Sequence, residues 1–178
     1  MIITIARQCG SGGHEIGKEL ASRLGLELYD RKKLEEEAKK LGKLDENKEF
    51  FQEKAVNSLL YSIAVSYGES NPMEKSFELI RELTQQKSAV IIGRCSGAIY
   101  ANDPEATTVF LHADKDCRIK RVMERDGINE KKAAKLIRKW MRKEHLSTNS
   151  AQAKNGKTPA SISCLLIQAN LIFPMQQT

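Results

Sequence analysis

The chain has 178 residues, 40% of them apolar and 29% charged, with a formal net charge of +6. These proportions exclude a disordered chain, and no run reaches the roughly 18 apolar residues that a membrane-crossing helix needs. The length predicts one domain, and the start, Met1–Ala6, lacks the basic and apolar regions of a secretory signal, so a cytoplasmic protein is expected.

Ile2–Ala6 is a short apolar run that suits a buried strand, and it ends in the glycine-rich turn Arg7-Gln-Cys-Gly-Ser-Gly-Gly13. A helical pattern follows, with Ile16, Leu20, Ala21 and Leu24 on one face and Gly25 as its stop. Leu26–Asp30 reads as a second strand. Residues 31–42, roughly 46–66 and 73–86 read as helices, with a polar break at Gly68–Pro72. Ser88–Gly93 and Thr107–His112 read as strands, and residues 115–125 and 129–143 as basic helices. Strands alternating with helices predict a parallel sheet covered on both faces, whose ligands bind at the carboxyl ends of the strands. Gly10–Gly13, Asp30, Arg94 and Ala113-Asp114 all fall at those ends.

The charge is unevenly spread. Residues 114–145 hold 12 Lys/Arg against 6 Asp/Glu, residues 1–113 hold 15 against 17, and residues 146–178 hold two Lys and no acid. Cys9, Cys95, Cys117 and Cys164 are too far apart to suggest a zinc site, and in the cytosol they are expected as reduced thiols.

A strand, a glycine turn and a helix in that order make an anion site, because backbone N–H groups converge on the helix N-terminus. The turn is not the pattern GxxxxGK[ST], since Gly13 stands where the Lys belongs. Arg94, at the end of an apolar strand, has the fork geometry that grips phosphate oxygens, or else makes a surface ion pair. Asp30 has two readings: it orients a substrate hydroxyl or a metal-bound water, or it caps the helix that follows. Arg118, Arg121 and Arg125 recur on one helix face. Phosphoryl transfer needs such cations, although a solvated basic face has the same pattern.

Taken together, residues 1–138 resemble the cytidylate-kinase-like family of P-loop nucleoside monophosphate kinases. The resemblance is carried by Ile5–Ala21, Leu24-Gly25, Tyr29-Asp30, Ile91–Cys95, and Val109–Ala113 with Arg118 and Arg121. It implies an α/β fold, the P-loop NTPase three-layer sandwich, with residues 43–86 as a helical acceptor-binding insert. It implies ATP and Mg²⁺ as cofactors and a nucleoside monophosphate as acceptor, CMP or dCMP first. Gly10, Ser11, Gly12, Gly13, His14 and Glu15 would cradle the ATP phosphates. Asp30 and Arg94 would hold the acceptor, and Arg118 and Arg121 would be the catalytic cations by the lid. The usual loop Lys aligns with Gly13 and the usual magnesium-binding Ser/Thr with Glu15, which leaves Arg7 or His14 to supply the missing charge. Cys95 stands where the family has Asp after Arg94, so cytosine selectivity does not carry over by motif. Two other readings stand beside this one: a non-catalytic nucleotide-binding or sensory module, and a nucleic-acid binder using the basic segment 114–145.

The resemblance stops near Lys139. The family continues with a lid of the type Asp-x-Lys-Arg-Ala and then Trp-x-x-Pro-x-x-Tyr-x-Leu-x-Ile-Asn-Thr/Ser, neither of which is present. A one-base slip in the genetic code restores both. Trp140 and Met141 have single codons, TGG and ATG, so the triplet spanning them is GAT, Asp. The next triplets allow Glu, Lys, Arg and Ala. Across Asn155–Ala169 permitted codons spell Trp-Glu-Asn-Pro-Ser-Gln-Tyr-Gln-Leu-Leu-Val-Asn-Thr-Ser. Residues 139–178 are therefore expected to be an out-of-frame lid and C-terminal segment, with the last strand and the lid lost and a sheet edge left bare. Ser161–Ile167 is apolar enough to enter a strand slot by accident.

Overall fold

In a computed structural model the described residues are 1–51, 72–85, 87–152 and 164–168. Five strands form one sheet: β1 (Ile2–Arg7), β2 (Glu27–Tyr29), β3 (Ala89–Ile92), β4 (Ala106–His112) and β5 (Cys164–Gln168). Their order is β2-β3-β1-β4-β5, and every neighbouring pair is parallel. The helices are α1 (Gly13–Leu24), α2 (Arg31–Lys40), α3 (Lys48–Phe51), α4 (Pro72–Thr84), α5 (Ser96–Ile99), α6 (Lys115–Asp126) and α7 (Glu130–Gln152).

Alternation along β1 sorts the core into two layers. Ile3 and Ile5 pack with Ala21 of α1, Val90, Val109 and Leu111 on one face. On the other, Ile2 packs with Tyr29, Leu34, Phe51, Ile80, Ala89, Ile91 and Ile99, which brings in α2, α3, α4 and α5. A third cluster, Ile119, Val122, Ala133 and Ile137, joins α6 to α7 and takes in Cys9 at its margin. The expected α/β sandwich with a parallel sheet and helices on both faces is what forms.

The expected elements lie close to the observed ones, with two differences among the described residues. Of the helix expected over 46–66, only α3 is described, and most of the span, like most of the Gly68–Pro72 break, lies outside the described residues. The basic helix expected to end at 143 runs on to Gln152. The last strand, expected to be lost, is present: β5 lies along β4, with Thr108 opposite Cys164 and His112 opposite Gln168. Its run Cys-Leu-Leu-Ile is the kind of apolar stretch that a parallel strand needs. The edge of β4 is therefore covered. The charge motif of the lid is absent from the sequence itself.

Candidate nucleotide site at the carboxyl ends of the strands

The glycine turn joins β1, at the centre of the sheet, to α1. The Ser11 N–H donates to the Gln8 carbonyl oxygen at 3.0 Å, and Gln8 N–H donates to Leu111 O at 3.0 Å, tying the turn to β4. Gly10 and Gly12 have φ of 82° and 83°, a region open to glycine and costly for other residues. Gly12 is the N-cap of α1, and no side chain caps that end. The helix N–H groups and the positive end of its dipole are thus directed at the turn.

Helix α6 lies against the same turn. A Cβ on Gly10 would stand 2.7 Å from the carbonyl oxygen of Arg118. Arg118 Nε donates to Ala113 O at 3.1 Å, and Arg121 Nη1 donates to Gly10 O at 3.3 Å. One turn on, Arg125 pairs with Asp126 through two bonds of 2.7 and 2.8 Å. That hydrogen bond raises the Arg125 pKa against the opposing effect of burial, with the charge of Asp126 adding to the rise. Of the three arginines, Arg121 bonds to the glycine loop, Arg118 to the residue after β4 and Arg125 to its neighbour Asp126. Two polar atoms in this region are buried without a hydrogen-bond partner among the described residues, Ser11 Oγ and Arg118 Nη1.

Arg7, at the end of β1, crosses the site. Its aliphatic stem lies over Gly13, where a Cβ would come within 2.7 Å of Arg7 Cγ. Its guanidinium lies over Gly93, where a Cβ would meet Arg7 Cζ at 3.0 Å.

Asp30 closes β2 and caps α2, its Oδ1 accepting from Lys33 N–H at 2.9 Å. Its Oδ2 faces His14 Nδ1 at 3.8 Å. The capping role is therefore real, and one oxygen remains directed at α1. Arg94 takes a left-handed conformation, φ 54°, and its Nη1 donates to the Phe50 and Phe51 carbonyl oxygens at 3.0 and 3.2 Å. It therefore ties β3 to the C-terminus of α3. Gln8 and Gly93 were not singled out in the sequence. Gln8 Oε1 accepts from Ala113 N–H at 3.4 Å, and Gly93 is the seat of Arg7. The signal for Gly93 was its place between an apolar strand and an arginine.

Among the described residues, Cys9, Cys95 and Cys117 are not joined in disulfides. Among the described residues no three His, Cys, Asp or Glu side chains cluster as metal ligands, and no helix is long and apolar enough to cross a membrane.

The model of the cytidylate kinase-like family matches residues 2–160, most of the chain. The chain belongs to this family. The match runs past Lys139, where the motif resemblance ends. Among solved structures, the chain is similar to an uncharacterized protein from Eubacterium ventriosum, at 27% identity over 94% of this chain and 88% of that one, with a TM-score of 0.67. It is more distantly similar to a shikimate kinase from Bacteroides thetaiotaomicron, at 20% identity over 95% and 86%, TM-score 0.46. A gluconokinase from Sinorhizobium meliloti gives 12% identity over 96% and 83%, TM-score 0.47. No curated protein sequence matches the chain. Membership of a kinase-like family fits the site: a glycine loop, a helix N-terminus and a set of arginines at the carboxyl ends of a parallel sheet.

Proposed function

We propose that the chain binds ATP on its glycine loop, as a member of a kinase line that transfers the γ-phosphoryl group to a nucleoside monophosphate, CMP or dCMP first. The observation that carries this is the pair of unpartnered buried atoms, Ser11 Oγ and Arg118 Nη1. A buried polar group without a partner costs about 1–3 kcal/mol, and phosphate oxygens are the acceptors that would relieve both.

Each site residue then has a task. The N–H groups of Gly10–Glu15 take the donor phosphates, with Ser11 adding its hydroxyl and Arg7 or His14 a positive charge. Arg118 and Arg121 stand over the loop where charge spreads on the transferring group. Asp30, through the oxygen not used in capping, and Arg94 would face the acceptor. Mg²⁺ would be held chiefly by the donor phosphates, with Glu15 on the first turn of α1 as a carboxylate, and it would neutralise the phosphate oxygens. Catalysis in such a site is positioning and electrostatics with no covalent intermediate.

A second reading is a non-catalytic nucleotide-binding or sensory module, favoured by Gly13 in place of the loop lysine and by the hold that α3 has on Arg94. Thermal shift separates the two: a kinase is stabilised further when CMP is added to ATP, and a sensor responds to ATP alone. No shift with ATP at any Mg²⁺ concentration would sink both. The nucleic-acid reading has less support, because Arg121 is bonded to the Gly10 carbonyl and Arg118 to the Ala113 carbonyl.

The tail belongs to this proposal. We infer that residues from about Lys139 onward are translated out of frame, so this chain lacks the lid charges and turns over little or no ATP. Sequencing the coding DNA across codons 135–145 decides it. An intact frame with unrelated codons, or steady turnover of ATP with any nucleoside monophosphate by the purified chain, would overturn it.

A further inference from the structure

We propose that Arg7 has taken over the task of the missing loop lysine, as the cation on the β- and γ-phosphates of the donor, and that Gly13 and Gly93 are glycines because they form its seat. The proposal rests on the ATP-binding reading above and assigns within it the one charge that the loop sequence lacks.

The geometry makes the two cations alternatives. The Arg7 stem runs over Gly13, the position that carries lysine in a GxxxxGK[ST] loop, and a Cβ there would stand 2.7 Å from Arg7 Cγ and 3.0 Å from Arg7 Cβ. A side chain at 13 and the observed path of Arg7 cannot share that space. The far end of the same side chain is fixed by Gly93, where a Cβ would stand 3.0 Å from Arg7 Cζ and 3.3 Å from Nη2 and would collide with Nη1. Arg7 therefore runs from the end of β1, across the first residue of α1, to the turn after β3. Among the described residues no hydrogen bond or ion pair to its guanidinium is found. A half-buried cation held by two glycine surfaces, beside an uncapped helix N-terminus, has the electrostatics and the open donors of an anion-binding group.

The exchange has a consequence for the site. A loop lysine reaches the phosphates from the helix that bears it. Arg7 reaches them from the central strand and touches the turn that carries Arg94, so the donor cation is in contact with the acceptor side of the cleft.

The test is a charge swap read by binding, which does not require turnover. Dissociation constants for Mg-ATP and for inorganic tripolyphosphate are measured by calorimetry on the whole chain, with melting temperatures alongside. Arg7→Met keeps the stem and removes the charge, so it should weaken both ligands by tenfold or more with little change in melting temperature. Arg7→Ala/Gly13→Lys should recover most of that loss, and Arg7→Ala/Gly13→Ala should not. Gly13→Lys with Arg7 retained should melt lower than the double variant. Binding of Arg7→Met equal to wild type, or equal binding by the two double variants, would overturn the assignment while leaving ATP binding intact. Wild-type protein that binds neither ligand would overturn the ATP-binding reading and this one with it. If Arg7→Ala does not fold, the Arg7→Met measurement decides alone.

Discussion

The backbone of Gly10 lies against that of Arg118, so closely that a Cβ on the glycine would stand 2.7 Å from the arginine's carbonyl oxygen. This contact, with the bond from Arg121 Nη1 to Gly10 O, holds the glycine loop close to helix α6. Gly10→Ala would add a backbone collision to a positive φ, and the two together should destabilise the fold by on the order of 2–4 kcal/mol. Urea unfolding measures it. A loss under about 1 kcal/mol would mean that α6 moves away from the loop easily.

Asp30 both caps α2 and turns its other oxygen to His14 of α1, and two substitutions separate the cap from a role of the charge. Asp30→Ala should lower stability by about 1 kcal/mol, the ordinary worth of a cap. Asp30→Asn keeps an oxygen for the Lys33 N–H and should melt near wild type. If Asp30 serves the acceptor through its charge, Asp30→Asn should still abolish the extra thermal shift given by CMP.

Arg94 holds the Phe50 and Phe51 carbonyl oxygens at the end of α3. Arg94→Ala leaves those carbonyls to find other partners, so it should cost about 1–3 kcal/mol even without nucleotide. Arg94→Lys, which lacks the planar fork, should recover only part. A melting curve for Arg94→Ala equal to wild type would show that the contact contributes nothing to stability.

The Arg125–Asp126 pair has a defined pH signature. The hydrogen bond and charge of Arg125 lower the Asp126 pKa below its ordinary value of 3.8. A carboxylate lowered on folding adds stability above its unfolded pKa and loses it as pH falls through the folded value. The difference in melting temperature between wild type and Asp126→Asn should therefore be constant near neutrality and shrink as pH drops below about 4. It should also shrink with added salt, because the pair is partly exposed. A difference that grows on acidification would refute the pairing.

Much of this molecule is legible in its sequence because the deciding signals are local. The apolar run Ile2–Ala6, the glycines that follow and the stripe from Ile16 to Leu24 define strand, loop and helix without reference to the rest of the chain. The same holds for Asp30, whose capping role depends on a residue three positions on. Arg94 was legible in position but not in partner, since its contacts lie on α3, more than forty residues upstream. The link between Arg7, Gly13 and Gly93 was legible only in halves: the absent lysine shows in the loop, while Gly93 comes into range only when β3 docks beside β1. The last strand was expected to be lost, although Ser161–Ile167 was also read as able to enter a strand slot, and β5 at Cys164–Gln168 does lie along β4. An apolar run can pair with an open strand edge whatever its origin, because the ladder is made by backbone groups that every sequence supplies.

The strand order has a consequence during synthesis. β1 is made first, yet both of its sheet neighbours come late: Ile2 pairs with Ala89 on one side and with Ala106 on the other. The glycine loop therefore emerges from the ribosome on a strand that has no partner until β3 has been made. At roughly 5–20 residues per second, that apolar segment stays exposed for several seconds or longer. Non-local parallel pairing of this kind is slow to form and prone to association while it waits. Chaperone contact with nascent chains should accordingly concentrate on the first few residues and fall away once β3 and β4 have been translated.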